Sequence, residues 1–307
     1  MTRRVLVGVA GAVLLLAGAL AAVARSDDAA ADWERVASMS QRRSYVAAAE
    51  LDGRIYAAGG MVGETGRPLA TFARYDPEAD RWDVLSRLPV ATRAAAGAEL
   101  DGRVYVVGGT TEDGNTVATW AYDPATARWQ ERAPLPGPRF NHGAVALAGR
   151  LFVLGGFEGG RERDDVVAYD PDVDRWSAVT TLPRAMHAFG AVALGGELWV
   201  IGGRRGEEVL REVWILDPET LRWRPGPAMP EPMELLGAAV AGDEIHAVWE
   251  STYQVYDAGA GSWRSGPRPL VTRHALQAFA VDGALYTIGG CTTALRDSPV
   301  VERLQIE

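Results

Sequence analysis

The sequence predicts an all-β protein, a six-bladed β-propeller closed by an N-terminal strand, with its fifth blade truncated. Three observations predict it. Tryptophan recurs at Trp33, Trp82, Trp129, Trp176, Trp223 and Trp263, in steps of 49, 47, 47, 47 and 40 residues. A glycine pair recurs in the same register, at Gly59-Gly60, Gly108-Gly109, Gly155-Gly156, Gly202-Gly203 and Gly289-Gly290. An aspartate turn precedes most of the tryptophans, as Tyr75-Asp76-Pro77, Tyr122-Asp123-Pro124, Tyr169-Asp170-Pro171, Leu216-Asp217-Pro218 and Tyr256-Asp257. A unit repeated at this spacing has faces it cannot bury alone, so neighbouring units must stack.

Each repeat reads as four short strands, and the second shows the pattern. Residues 94–100 are small and apolar, and Asp101-Gly102 marks a tight turn. Residues 103–107 are β-branched and aromatic and end at Gly108-Gly109. A polar hairpin loop follows, then a third strand over residues 116–122. Asp123-Pro124 places Asp and Pro at the first two positions of a type I turn. The fourth strand begins at Trp129. Small first strands suit the crowded axis of a propeller, and large Trp and Tyr suit the splayed periphery. In the fifth repeat the glycine pair is replaced by Trp249-Glu250 and most of the hairpin loop is gone. The sixth repeat ends after its third strand. Residues 33–39 are the candidate for its missing fourth strand, which leaves no open sheet edge.

Gly-Gly after an apolar strand, then Tyr-Asp-Pro, then Trp six residues beyond the Asp, resembles the repeat of the kelch family. The resemblance covers residues 33–307 and implies the propeller fold. It implies a binding or interaction role for an anionic ligand or an acidic protein segment, because similar kelch domains use Arg at the start of the inner strand. It leaves two other functions open. One is a sugar-acting enzyme like the periplasmic sialic acid mutarotase, also a six-bladed kelch propeller. The other is a structural component of an envelope complex.

Ahead of the repeat, Arg3 and Arg4 precede an uncharged run over residues 5–24 that ends in Ala22-Val23-Ala24. Residues 1–24 are expected to be an export signal peptide or an uncleaved membrane anchor, followed by a linker over residues 25–32. Either puts the propeller outside the cytoplasm, secreted or periplasmic, or tethered to the outer side of the membrane through residues 5–24. The net charge of −9 argues against a nucleic-acid partner. The chain has no lysine, which removes Schiff-base chemistry, and one cysteine, Cys291, which removes a disulfide framework and a multi-cysteine metal site. Cys291 reads as an unpaired thiol. No cofactor, metal or catalytic residue is expected. The Asp of each Asp-Pro turn reads as a turn former.

Loops that differ between repeats point to one face as the functional one. Counting back from the first turn of each repeat aligns Arg43, Thr92, Arg139, Met186, Met233 and Arg273. The next position holds Ser44, Arg93, Phe140, His187, Glu234 and His274. The candidate ligand-binding residues are Arg43, Arg93, Arg139, His187, Glu234, Arg273 and His274, gathered at the mouth of the central channel. Four arginines there would favour an acidic group, on a protein or on a small, sugar-like ligand.

Overall fold

The computed structural model describes residues 32–63, 66–292 and 296–306. The expected leader over residues 1–24 lies outside the described residues, as does the linker up to residue 31. Six four-stranded antiparallel sheets form in chain order. Their inner strands are Ala47–Leu51, Ala96–Leu100, Gly143–Leu147, Gly190–Leu194, Gly237–Ala241 and His274–Val281. Consecutive inner strands touch, and the last touches the first, so the blades close into a ring.

Why small residues line the axis is visible at the glycines. A Cβ added to Gly97 would lie 2.4 Å from the backbone nitrogen of Ala48 in the preceding blade. One on Gly237 would lie 2.6 Å from the side chain of Leu276 in the following blade. Farther out, Tyr, Trp and aliphatic side chains fill the widening gaps between sheets, as in the cluster of Tyr56, Phe72, Val104 and Tyr122.

The ring is fastened at two radii. At the inner radius, one residue at the head of each inner strand adopts left-handed backbone, two positions before the strand in the first five blades and just inside it in the sixth: Tyr45, Ala94, Asn141, Ala188, Leu235 and Ala275. Each donates its N–H to the carbonyl of its counterpart in the preceding blade, at 2.7–3.2 Å, and Tyr45 closes the circle onto Ala275. At the outer radius, the indole N–H of Trp82, Trp129, Trp176, Trp263 and Trp33 donates to Ala37, Ser86, Ala133, Pro227 and Pro267 of the preceding blade. Trp223 makes no such bond. Its expected acceptor, Thr180, lies in an outer strand whose register shifts between Val166 and Val167, and Thr180 pairs with Val166 instead.

The N-terminal strand forms as expected. Glu34–Val36 pairs with Val301–Gln305 and is the outer strand of the sixth blade. The fifth blade keeps all four strands. Its truncation falls on the hairpin alone: Glu244–Trp249 turns through Glu250 and Ser251 straight into Thr252–Asp257. The first four blades instead carry an extra two-stranded hairpin after the glycine pair, such as Thr110–Thr111 with Gly114–Asn115. That hairpin explains why the third strand of the second blade starts at Thr119 rather than at residue 116. The aspartates of the Asp-Pro turns accept backbone N–H groups two or three residues on, as Asp123 does from Ala125 and Asp217 from Glu219.

Candidate functional site at the channel mouth

The expected gathering of four arginines does not form. Arg43, Arg139 and Arg273 are at most 1% exposed. Each turns into its own blade and donates to the carbonyl of the first glycine of its pair, sixteen residues on: Gly59, Gly155 and Gly289. That turn of backbone has carbonyls with no strand partner, and a buried guanidinium with a fork of donors satisfies them. Arg43 also serves Thr71 and Ala57. Arg139 pairs with Asp165 at 2.6 Å, and Arg273 with Glu302 at 2.5 Å. Burial lowers all three guanidinium groups, Arg43 to about 10. These arginines brace blades and present nothing to a ligand.

The neighbouring column lies at the mouth, half-buried except for Ser44, which is fully buried. Its residues form backbone bridges with the residue after the second glycine, seventeen positions on: Ser44 with Met61, Arg93 with Thr110, Phe140 with Phe157, His187 with Arg204, and His274 with Cys291. Arg93 is half-buried, and among the described residues it has no carboxylate partner. Its guanidinium reaches the Met61 sulfur of the first blade at 3.5 Å. It lines a cavity of about 220 Å³ with Tyr45, Thr110, Asn115, Phe140 and Asn141. Thr110 donates its hydroxyl to the Asn115 carbonyl oxygen at 2.9 Å, which leaves the Asn115 amide nitrogen to donate elsewhere. Burial pushes the Tyr45 phenol up to about 12, with Cys291, Glu234 and Asp297 adding and Arg93 opposing. Tyr45 is therefore a neutral hydroxyl at physiological pH. One cation and several neutral donors around one concavity suit an anion carrying several acceptor oxygens.

The other candidates fall into two further groups. Glu234 is gripped by Arg204 through two parallel bonds, one of them 2.5 Å from Nη2 to Oε1. His187 packs on Phe157, with ring centres 4.9 Å apart, and lies 3.8 Å from Glu162. Burial lowers the His187 imidazole, with Glu162 and Glu234 opposing. Glu234 and His187 thus have separate partners. At the seam of the sixth and first blades, His274 Nε2 lies 3.0 Å from Cys291 Sγ. Ser44 donates to Asp297 at 2.7 Å, and Asp297 accepts the Gly63 N–H at 2.7 Å. Cys291, expected as an unpaired thiol, is a free, buried cysteine, and its sulfur contacts the His274 ring. Arg204, Asn115 and Asp297 were absent from the sequence-derived set. The seventeen-residue offset from the second column, readable in the sequence, leads to Arg204 and Cys291.

A family model, the KLHDC2/KLHL20/DRC7 Kelch-repeats domain, matches residues 45–248. The chain belongs to the kelch-repeat family. Among solved structures it resembles the "Structure of YjhT", with a TM-score of 0.75 at 16% identity, over 86% of this chain and 95% of that one. At that identity the likeness concerns fold alone. No curated protein matches the chain. A kelch domain typically serves as a binding or interaction module. In this one the free charge on the mouth face is unevenly placed, with Arg93 unpaired among the described residues and Glu234 already neutralised.

Proposed function

We propose that this kelch propeller is an exported binding module whose recognition site is the Arg93 cavity, and whose ligand places an acidic group there. The observation that carries the reading is Arg93 itself. It is a half-buried guanidinium on a donor-rich cavity, without a carboxylate among the described residues. A charge in that position is costly to leave unpaired and favours an anionic guest. The sugar-acting alternative needs an acid and a base poised over one reacting centre. Glu234 is engaged by Arg204 and His187 by its own neighbours, so the binding reading is preferred.

The test is a thermal-shift screen of acidic sugars and acidic peptides, followed by calorimetry on wild type and Arg93→Ala. The variant is expected to weaken binding by about 1.5–3 kcal/mol, the worth of a hydrogen bond to a charged group. Its melting temperature should stay close to wild type. A drop in stability with unchanged affinity would make Arg93 a brace like Arg43 and defeat the proposal. Sequencing the N-terminus of the native protein tests export: a start near Arg25 supports cleavage, an intact membrane-embedded start supports an anchor, and a cytoplasmic protein beginning at Met1 defeats both.

A further inference from the structure

We infer that the fifth blade is a docking edge for an extended segment of a partner polypeptide, whose main chain supplies the bridge that this blade lacks. The inference rests on the reading of the mouth as the recognition face. In five blades the mouth-facing residue exchanges backbone hydrogen bonds with the residue after the second glycine. Ser44 does so with Met61, Arg93 with Thr110, Phe140 with Phe157 and His187 with Arg204, while His274 bridges Cys291. In the fifth blade the hairpin is missing, and Glu234 has no such bridge to Ser251. Among the described residues neither the N–H nor the carbonyl of Glu234 has a backbone partner.

The deficit is local. Glu250 still occupies the second glycine position with left-handed backbone at φ 52° and donates its N–H to Arg273, as the glycines of the other blades do to their neighbours. Leu235, next to Glu234, keeps its place in the inner hydrogen-bond ring. The Glu234 side chain is drawn to Arg204 of the preceding blade. What remains, among the described residues, is one donor and one acceptor on a single residue, at a place that the first four blades fill with an extra hairpin and the sixth with Cys291. One donor and one acceptor from the same residue match the N–H and carbonyl of an extended backbone, the mode by which peptides add to sheet edges. A small carboxylate offers acceptors alone, whereas an extended backbone supplies the donor and the acceptor together at strand spacing. Glu231, exposed, and Glu250, half-buried, flank the gap. A segment bound here thus carries neutral or basic side chains over the fifth blade and directs its acidic group across the mouth to Arg93, on the opposite blade.

The experiment selects short peptides from a displayed random library on the intact protein, then replaces each backbone amide of a selected peptide by its N-methyl form. A second arm inserts the hairpin sequence of residues 110–115 between Glu250 and Ser251, so that the chain itself can cover Glu234. The inference expects one N-methyl position to weaken binding by about tenfold or more, the scale of a lost backbone hydrogen bond. It expects the inserted hairpin to weaken binding comparably while leaving small acidic probes bound at Arg93. If every N-methyl peptide binds like its parent, or the inserted hairpin leaves peptide binding intact, the docking edge is refuted. If no peptide is selected while acidic probes bind and lose affinity in Arg93→Ala, the docking edge is refuted and the Arg93 site stands. If the Glu234 amide of the free protein is strongly protected from hydrogen exchange, the edge is already occupied by this chain or a second copy, and the inference is overturned.

Discussion

Arg273→Met removes a bracing arginine whose carboxylate partner is as fully buried as itself. Arg273 and Glu302 are both 0% exposed, and Arg273 also bonds the Gly289 carbonyl at 2.6 Å, the Val300 carbonyl at 2.8 Å and the Thr287 hydroxyl at 2.9 Å. Glu302 has a second partner, the Val271 N–H at 2.9 Å. Methionine roughly fills the space but leaves Glu302 buried with one neutral donor, and it takes a charged donor from the Gly289 and Val300 carbonyls, the second of which keeps only the Gly289 N–H at 3.3 Å. Breaking a buried pair from one side costs about 3–5 kcal/mol. For a domain of this size each kcal/mol shifts the melting temperature by about 2–4 °C, so a drop of roughly 6–20 °C is expected. The double variant Arg273→Met with Glu302→Leu removes the orphaned charge and should recover much of the loss. Calorimetric melting of the three proteins, together with the affinity for an acidic probe, reads the outcome. A melting temperature within about 2 °C of wild type, on the same scaling, would refute the bracing role. So would lost probe binding with intact stability, since that would return Arg273 to the mouth.

Removing residues 33–39 takes away the strand Glu34–Val36, the Trp33 bond to Pro267 and the Met39 N–H bond to Pro299. The melting temperature should fall sharply, and an unchanged value would rule out closure by this strand. Burial holds His142 at about 3 and His246 at about 4, below the ordinary 6.5. The native state then binds fewer protons than the unfolded chain, so this contribution is complete above 6.5 and is lost as pH falls toward those values. Each imidazole contributes up to about 1.4 kcal/mol per pH unit within its window, and His142→Gln should flatten the dependence of urea-unfolding free energy on pH by about that slope. Burial, with Asp297, pushes the Cys291 thiol up to about 11, so iodoacetamide should modify it slowly at neutral pH until the protein unfolds. Fast labelling of the native protein would show an accessible thiolate.

The fold was legible because every blade needs the same few residues for the same physical reasons. Glycine pairs mark backbone at positive φ, for example 63° and 95° at Gly59 and Gly60. Small residues mark the axis, and tryptophan marks the outer staple to the previous blade. These demands recur, so they show as periodicity. The site was less legible, because the period aligns positions but does not say which way a side chain turns. Arg43, Arg139 and Arg273 share a column with Met186 and Met233, both 0% exposed. Methionine at aligned positions was the available sign that this column points inward. The pairing of His274 with Cys291 came from register across a hairpin, which spacing from one glycine pair reveals only once the bridge is known.

Three consecutive positions at the head of each inner strand therefore have three separate fates. The first turns into the blade and satisfies the glycine turn, or fills the space with methionine. The third is consumed by the hydrogen-bond ring that ties the blades together. Only the second is left to face the mouth, and the fold asks nothing of its side chain beyond backbone bridging. That is why this column ranges over Ser44, Arg93, Phe140, His187, Glu234 and His274, while the column before it repeats arginine at Arg43, Arg139 and Arg273 and methionine at Met186 and Met233. Within this set Ser44 is tied to Asp297, His187 packs at a tilt on Phe157, Glu234 is held by Arg204, and His274 meets Cys291. Phe140 packs on Phe157. Among the described residues Arg93 alone of this set meets only a methionine sulfur, so the residue that architecture leaves free is also the one that its described neighbours leave unanswered.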